Sequence, residues 1–234
     1  MHYNENDFIQ IQKSLIKKIV CEDIFNSNNV KTIAGVDLAY WNDSNEQEYA
    51  VCCIVVINKV THAVIEKKTF SDKIECPYIP GFLAFRELPL VIKTAKLLEC
   101  KPDIYMFDGN GYLHPRHMGI ATHASFYLNA PTIGVAKTYY RVEKNLDYSE
   151  PNIYAGSYTD IVLNGEIYGR VLRTQDNVKP VFVSIGNYIS LDTAVRITME
   201  MVDLESHIPI PTRLADLETH KERAQLRTNV PVKQ

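Results

Sequence analysis

The stretch of residues 104–117 constrains this chain more than any other, because an apolar run ends there in an acid and two glycines. Residues 104–107 have the composition of a short buried strand, and Asp108 follows them directly. A strand fixes the position of a carboxylate at its end, and Gly109 and Gly111 let a ligand approach the backbone closely. The same residues are also typical of an Asp-Gly turn with a polar loop, so the rest of the chain decides between the two interpretations.

The composition is that of an ordinary globular protein, since 46% of the 234 residues are hydrophobic and 23% are charged. A formal net charge of −3 argues against a wholly basic face but leaves a local basic patch open. The polar N-terminus predicts no secretory signal, and the longest apolar run, residues 50–57, is too short to span a bilayer. Five cysteines without a Cys-x-x-Cys pair indicate reduced thiols, not a zinc site or a disulfide framework. We therefore expect a cytoplasmic protein with no membrane segment.

A second acid, Asp37, lies inside a predicted core strand over residues 32–40. Its neighbours Ile33, Val36 and Leu38 are apolar, and a carboxylate among them is costly unless it is paired, hydrogen-bonded or bound to a metal. Asp37 is therefore a candidate functional residue, and an ion pair with a lysine or arginine is the usual alternative.

A stiff loop precedes a predicted helix in the first half of the chain. Pro77, Pro80 and Gly81 bend this loop, so that Tyr78 and Ile79 are presented by it. Tyr78 is either an exposed contact residue or an aromatic lid on the core.

Two further charged residues each allow a functional and a structural interpretation. Glu87 lies in the early turns of the helix, and Pro89 follows it, where proline is tolerated only near a helix start. Glu87 is thus a functional acid or an acid favoured by the helix dipole. Lys137 ends a predicted strand over residues 131–137. It is either a functional cation or a solvated surface lysine.

The order of the predicted elements indicates an α/β fold built on one mixed sheet flanked by helices. Strands over residues 32–40, 49–57 and 60–70 form a three-strand antiparallel meander, with a tight link at Asn58-Lys59. The later strands alternate with short helices, which is typical of parallel pairing. The remaining predicted elements are helices over 8–20, 119–128 and 191–202, the last capped by Ser190, strands over 104–108 and 180–185, a hairpin over 160–173 with a type I′ turn at Asn164-Gly165, and a charged helix to about residue 227.

No linker, internal repeat or low-complexity segment divides the chain, so we predict a single domain over residues 1–234. Residues 1–31 contain an amphipathic pattern that predicts an N-terminal docking helix. Residues 217–234 are expected to form a C-terminal helix or tail.

The acids Asp37, Glu87 and Asp108 lie on three separate elements, and the first and fourth strands of such a sheet can end side by side. Grouped carboxylates repel one another unless a cation neutralises them, and their hard oxygens favour Mg²⁺ or Mn²⁺. Such a metal lowers the pKa of a bound water and stabilises the entering and leaving oxygens of a phosphodiester. Lys137 could orient that water or offset charge on the phosphate, and His114 could transfer a proton or contact a phosphate oxygen.

Four segments match, in order, the motifs of one known nuclease family. They are Ala-Gly-Val-Asp-Leu around Asp37, Pro-Tyr-Ile-Pro-Gly-Phe-Leu-Ala-Phe-Arg-Glu ending at Glu87, Phe-Asp-Gly-Asn-Gly-Tyr-Leu-His-Pro-Arg starting at Phe107, and Thr-Ile-Gly-Val-Ala-Lys ending at Lys137. Together they closely resemble endonuclease V, the deoxyinosine repair nuclease, over residues 8–216. The resemblance implies a ribonuclease H-like fold and hydrolysis of the second phosphodiester 3′ to hypoxanthine in DNA, which initiates repair of deaminated adenine.

The resemblance also implies residue roles. Asp37 and Asp108 are expected to bind Mg²⁺, with Mn²⁺ as a substitute, and Glu87 completes the acidic cluster. Asp216 is expected in the metal shell, at a position where some family members carry histidine. The residues implied to line the scissile phosphate are Lys137 and His114.

Substrate contacts are implied in the same way. Tyr78 begins a wedge that enters the helix where the lesion leaves it, and the extruded base is expected near Leu83, Gly109 and Ile120. The full set of expected substrate-binding residues is Tyr78, Ile79, Pro80, Gly81, Leu83, Gly109, Gly111, Ile120 and His123. Residues 185–187, Ile-Gly-Asn, depart from the Pro-Gly-His often present in the family, which leaves a phosphate contact from that loop open.

Alternative functions remain at this stage. The same fold could serve an inosine-specific ribonuclease or a structure-selective nuclease, since recognition of a 2′-hydroxyl needs no fixed motif. A nucleic-acid-binding module with structural acids is a third possibility, whereas a P-loop is excluded because its motif does not occur. The expected partner is DNA containing deoxyinosine, with RNA as the alternative, and the expected oligomeric state is a monomer.

Overall fold

A computed structural model describes residues 4–228, in which eight strands form one mixed sheet. The strands are β1 (Thr32–Asn42), β2 (Glu48–Asn58), β3 (Val64–Lys73), β4 (Ile104–Phe107), β5 (Thr132–Ala136), β6 (Tyr158–Leu163), β7 (Glu166–Leu172) and β8 (Val181–Asn187). The helices are α1 (Glu5–Ile16), α2 (Leu83–Ala95), α3 (Ile120–Leu128), α4 (Leu191–Glu200) and α5 (Ile210–Thr228), with a short 3₁₀ turn at Ser27–Asn29.

The strand order is β3-β2-β1-β4-β5-β8-β7-β6. The first three strands form the antiparallel meander predicted from the sequence, and β4 and β5 then run parallel to β1. The last three strands, β8, β7 and β6, extend the same sheet in antiparallel fashion. This arrangement confirms the predicted ribonuclease H-like mixed sheet.

Helices cover both faces of the sheet because successive strand residues point to opposite sides. One face buries Ile33, Met106 and Ile133 in the same cluster as residues of α4 and α5. The other face buries Val36 and Phe107 against α2 and α3. The centre of the sheet is thus largely apolar on both sides.

Two local predictions are confirmed. Asn164 and Gly165 have φ values of 54° and 83° between β6 and β7, the positive values that a type I′ turn requires. Ser190 caps α4, since its side chain accepts a hydrogen bond from the Thr193 amide.

The predicted N-terminal helix over residues 8–20 was wrong at both ends, since α1 begins at Glu5 and ends at Ile16. The chain leaves the helix because Val20 bonds through its backbone to another segment. Its amide donates to Asn187 Oδ1 at 2.8 Å, and its carbonyl accepts from the Tyr188 amide at 2.8 Å.

Two further features differ from the predictions. The link between β2 and β3 spans residues 59–63, because the Asn58 side chain accepts from the Val60 and Thr61 amides and organises a longer loop. Pro89 lies inside α2 beyond the first turn, at an exposed position. Helix α5 begins at Ile210 and so includes Asp216, and its end at Thr228 agrees with the predicted helix end near residue 227.

Residues 1–3 and 229–234 lie outside the described residues. Within residues 4–228, no helix is both long and apolar enough to cross a membrane.

Candidate active site

Asp37 and Asp108 are brought together by the pairing of two parallel strands. Val36 of β1 is in register with Phe107 of β4, so the residues that follow them lie side by side. The Asp108 amide also donates to the Val36 carbonyl at 3.4 Å. The strand pairing therefore places two carboxylates side by side at the edge of the sheet formed by the end of β4, although β1 itself continues to Asn42.

Glu87 approaches the same edge from α2. Its Oε1 accepts a hydrogen bond from the Tyr40 hydroxyl at 2.5 Å, and Tyr40 lies near the end of β1. The Arg86 guanidinium lies 4.6 Å from the centre of the Tyr40 ring, which restrains that ring. Glu87 is thus held from the α2 side of the sheet and is not an acid of the first helical turn.

Helix α5 contributes polar groups from the opposite face. Thr219 Oγ1 donates to Asp37 Oδ2 at 3.0 Å. Asp216 Oδ1 lies 4.0 Å from Lys137 Nζ and 3.5 Å from His220 Nε2. Lys137 follows β5, and its ammonium pairs with Asp108 Oδ2 at 2.6 Å. Lys137 therefore touches one acid and lies near another.

The electrostatics of this edge favour a cation. Burial, with the like charges of Asp108 and Asp216, raises the pKa of Asp37 to about 7, although the Thr219 hydrogen bond opposes the shift. Burial likewise raises the pKa of Glu87 to about 7; the Tyr40 hydrogen bond lowers it and the charge of Asp37 raises it. Burial lowers the pKa of Lys137, but its pairing with Asp108 and the nearby acids outweigh that effect, so the net shift is upward.

A closed ligand cage is not part of this arrangement. Within residues 4–228, no group of three or more Asp, Glu, His or Cys side chains is positioned to hold a metal ion as it stands. The acid oxygens are instead engaged by Lys137, Tyr40 and Thr219. Their chemistry still suits Mg²⁺ or Mn²⁺, because they are hard oxygen donors with crowded negative charge.

The loop before α2 presents the predicted wedge. The side chain of Tyr78 is 62% exposed, whereas Ile79 packs against a small cluster that contains Phe82. A turn closes behind it, since the Phe82 amide donates to the Ile79 carbonyl at 3.0 Å. Pro80 and Gly81, the latter with φ of 82°, are the residue types that such a turn favours at its two central positions.

His114 is buried, and hydrogen bonds engage both of its ring nitrogens. Nε2 lies 3.2 Å from the Gly81 carbonyl, while Nδ1 accepts from the Arg116 amide at 3.1 Å. Burial, reinforced by the positive charge of Arg116, lowers the pKa of His114 to about 3. The ring is therefore neutral with its proton on Nε2, and its role at the scissile phosphate stays a prediction.

A cavity of about 100 Å³ opens to solvent beside the wedge. The Asn110 side-chain oxygen is buried without a partner within the described part of the chain. Gly109 lies behind Ile120, which lines the cavity, and an added Cβ at Gly109 would come within 2.8 Å of Ile120 Cγ2. The lining includes Tyr78, Leu83, Asn110, His114, Ile120 and Tyr140.

Two expected substrate contacts lie elsewhere. Gly111 does not line the cavity, and an added Cβ there would meet the Ile185 carbonyl oxygen, so this glycine allows the loop to cross β8. His123 is buried on α3 against the edge of the Phe85 ring, 4.9 Å between ring centres. Asn187 uses its side chain to bind the Val20 and Tyr188 amides, which makes residues 185–187 structural here.

Sequence reasoning missed Tyr40, Thr219, His220 and Tyr140. Thr219 and His220 follow Asp216 at the three- and four-residue spacing of one helix face, a signal that becomes visible once α5 is known to be continuous. Tyr40 and Tyr140 carry no such signal, because their contacts come from distant elements.

The sequence model of the endonuclease V family matches residues 13–217 of this chain. The chain belongs to the endonuclease V family. It is 56% identical to endonuclease V of Clostridium acetobutylicum over 223 residues, which cover 95% of this chain and 94% of that protein. This membership makes it a nuclease that hydrolyses phosphodiester bonds within a strand, as the sequence predicted.

Solved structures of endonuclease V agree with the fold. The Bacillus subtilis enzyme superposes with a TM-score of 0.93 at 52% identity, over 97% of this chain and 95% of that one. The Ciona intestinalis enzyme was crystallised with a 24mer DNA containing an inosine followed by a ribo-adenosine. It superposes with a TM-score of 0.84 at 29% identity, over 94% of this chain and 98% of that one.

Proposed function

We propose that this endonuclease V hydrolyses the second phosphodiester 3′ to a deoxyinosine in DNA, in a reaction that requires Mg²⁺ or Mn²⁺. The convergence of Asp37, within β1, and Asp108, directly after β4, through the parallel pairing of these two strands is the observation that carries the proposal. The Ciona enzyme, bound to inosine-containing DNA, supports the choice of substrate. We further propose that the chain acts as a cytoplasmic monomer that initiates repair of deaminated adenine.

Asp37 and Asp108 would hold the metal, with Glu87 and Asp216 completing the acidic shell. The raised pKa of Asp37 supports this assignment, since a cation would relieve the repulsion that shifts it. A divalent ion supplies a bound water of lowered pKa and charge stabilisation at the phosphate. Lys137 would exchange its contact with Asp108 for one with the substrate when the ion is bound.

The protein groups around the phosphate have separate tasks. Lys137 offsets the negative charge that develops on the phosphate, because its ammonium is cationic at neutral pH and nearly half exposed. The Tyr40 hydroxyl donates a hydrogen bond to Glu87 Oε1 at 2.5 Å and so fixes the position of this acid beside the proposed metal site. The expected products carry a 5′-phosphate and a 3′-hydroxyl.

The cavity beside Tyr78 would receive the extruded base. Leu83 and Ile120 supply apolar walls, and Tyr140 supplies an aromatic side chain for stacking. The unpartnered Asn110 oxygen is an acceptor, and hypoxanthine carries an N1–H donor that adenine lacks. Tyr78 and Pro80, both exposed, would fill the gap left in the duplex, while Ile79 and Gly81 shape the turn that supports them.

The test uses end-labelled duplexes that differ only in one inosine or adenine. Cleavage of the inosine duplex, mapped by product length, should require Mg²⁺, stop with EDTA and be absent in Asp37→Ala and Asp108→Ala. Cleavage that persists in both variants would reject the proposed mechanism.

An RNA substrate is the second candidate, because the DNA bound by the Ciona enzyme has a ribonucleotide after the inosine. Matched DNA, RNA and single-ribonucleotide strands with the same sequence separate the two candidates by their rates of cleavage. Faster cleavage of the all-RNA strand would move the assignment to an inosine-specific ribonuclease.

A further inference from the structure

The carbonyl oxygen of Gly81 is contacted by several hydrogen-bond donors at the end of the loop over residues 77–81, which we call the wedge loop. It accepts from Arg116 Nη2 at 2.9 Å, from Gln12 Nε2 at 3.1 Å and lies 3.2 Å from His114 Nε2. Three side-chain donors from two distant segments thus converge on one backbone atom, three residues after Tyr78. Such convergence fixes the end of the loop more tightly than a single hydrogen bond would.

Gln12 is the unexpected member of this group because it comes from α1. Its side chain is fully buried (0% exposed), and both ends of the amide are used. Nε2 donates to Gly81, while Oε1 accepts from Arg116 Nε at 2.5 Å. The Arg116 guanidinium also lies 4.5 Å from the centre of the Phe82 ring. Gln12 therefore restrains an arginine that itself contacts the wedge loop through Gly81 and Phe82.

Docking of α1 alone does not account for a buried amide. The helix already packs through Phe8, whose ring stacks on Phe85 at 3.9 Å between centres. A leucine at position 12 would continue that apolar contact without the desolvation of an amide. The amide instead meets the hydrogen-bonding groups of the wedge loop.

We propose that Gln12 is a positioning residue for the Tyr78 wedge, which it aligns through the Gly81 carbonyl and Arg116. This inference rests on the proposed function, since it assigns a task to α1 in the extrusion of the base. Extrusion from a duplex requires unstacking and unpairing, whereas a base in a single strand is already accessible. Loss of Gln12 should therefore impair cleavage of duplex DNA and spare cleavage of a single strand.

The experiment measures kcat/KM on duplex and on single-stranded inosine DNA, and compares the duplex-to-single-strand ratio among variants. Gln12→Leu removes both hydrogen bonds, and Gln12→Glu removes only the donor to Gly81. Gln10→Leu, at an exposed position of the same helix, is the matched control. The ratio does not depend on the fraction of active enzyme, so a partly unstable variant remains informative, and Gln12→Glu serves if Gln12→Leu does not fold.

We expect Gln12→Glu to lower the ratio by about 5- to 10-fold, the effect of one lost hydrogen bond, Gln12→Leu to lower it at least as much, and Gln10→Leu to leave it unchanged. A 2-aminopurine placed beside the inosine in the duplex reports unstacking, and its fluorescence rise on saturation with enzyme should be smaller with both Gln12 variants. Unchanged ratios and fluorescence in both would overturn the role of Gln12. Failure of the wild-type enzyme to cut inosine DNA in either form would instead reject the proposed function.

Discussion

Asp37 and Asp108 lie side by side, Asp37 within β1 and Asp108 directly after the end of β4, because Val36 is in register with Phe107 in this parallel pair. The pairing forces two like charges together at a partly buried edge, which is unfavourable for the isolated protein. Burial, together with that repulsion, raises the pKa of Asp37 to about 7. The carboxylate charge that suits Asp37 for metal binding therefore lowers the stability of the metal-free protein, and removing that charge should raise it.

Replacement of Asp37 by asparagine should stabilise the metal-free protein and abolish cleavage. The folded pKa of about 7 exceeds the unfolded value near 3.8, so wild-type stability falls as pH rises from about 4 to 7. Asp37→Asn removes the part of this dependence that Asp37 contributes, while Glu87 keeps its own, and should raise stability at pH 8 by on the order of 1–3 kcal/mol after allowance for solvent screening. Thermal melting of the wild type and of Asp37→Asn in EDTA across pH 4–8 measures this difference in stability.

The matched control for this prediction is Glu143→Gln, at an exposed loop position. Its melting curve should follow the wild type at every pH. Added Mn²⁺ should raise the melting temperature of the wild type and not that of Asp37→Asn, because only a ligand bound to the folded state stabilises it. Parallel pH profiles for the wild type and Asp37→Asn would contradict the assigned pKa shift.

Lys137 is expected to act on the phosphate as a charge. Lys137→Met should reduce kcat on inosine DNA by about 10²- to 10³-fold, the loss typical of one donor to a developing negative charge. Lys144→Met, at an exposed loop lysine, should keep wild-type rates. Single-turnover cleavage with saturating enzyme measures the effect on chemistry, and a loss confined to KM would argue that Lys137 serves binding alone.

The parts of the site that the sequence predicted are those determined by local pattern. Asp37 and Asp108 follow from strand composition and from the parallel pairing that a meander and a crossover helix impose. Lys137 is predictable for the same reason, since it directly follows β5, the next parallel strand. Strand ends are predictable because the side chains there inherit a fixed position from a buried backbone.

The parts that the sequence did not predict depend on contacts between distant segments. The end of α1 is set by the bonds between Val20 and the 187–188 backbone and side chain, which no helical pattern records. Gly111 resembled a ligand-approach glycine, but the close passage of its loop over Ile185 explains it. Gln12 interrupts an apolar helix face because its side chain donates a hydrogen bond to Gly81, which is 69 residues away in sequence.

Tyr78 is expected to matter for duplex substrates through stacking. Tyr78→Ala should lower kcat/KM on duplex inosine DNA by about 10- to 100-fold, since aromatic stacking on a base contributes about 1–3 kcal/mol. Tyr78→Phe should retain most of the activity, because the ring and not the hydroxyl fills the gap. Tyr154→Ala removes another highly exposed tyrosine as the control. Equal losses for both alanine variants would remove the wedge assignment.

His123 should make the folded protein sensitive to acid. Its ring is 1% exposed, and neither nitrogen has a hydrogen-bond partner within residues 4–228. Burial lowers its pKa from 6.5 to about 4, so the folded state resists a proton that the unfolded chain accepts. The contribution of His123 to stability is complete above pH 6.5 and is lost as pH falls towards 4, by about 2–3 kcal/mol.

Substitution of His123 isolates this effect from general acid unfolding. His123→Phe should remove that part of the pH dependence, because a phenyl ring fits the apolar contact with Phe85 and cannot be protonated. Urea unfolding at pH 7.0 and 4.5 gives the free energies of unfolding directly. An equal loss between these pH values in the wild type and in His123→Phe would show that His123 titrates normally in the folded protein.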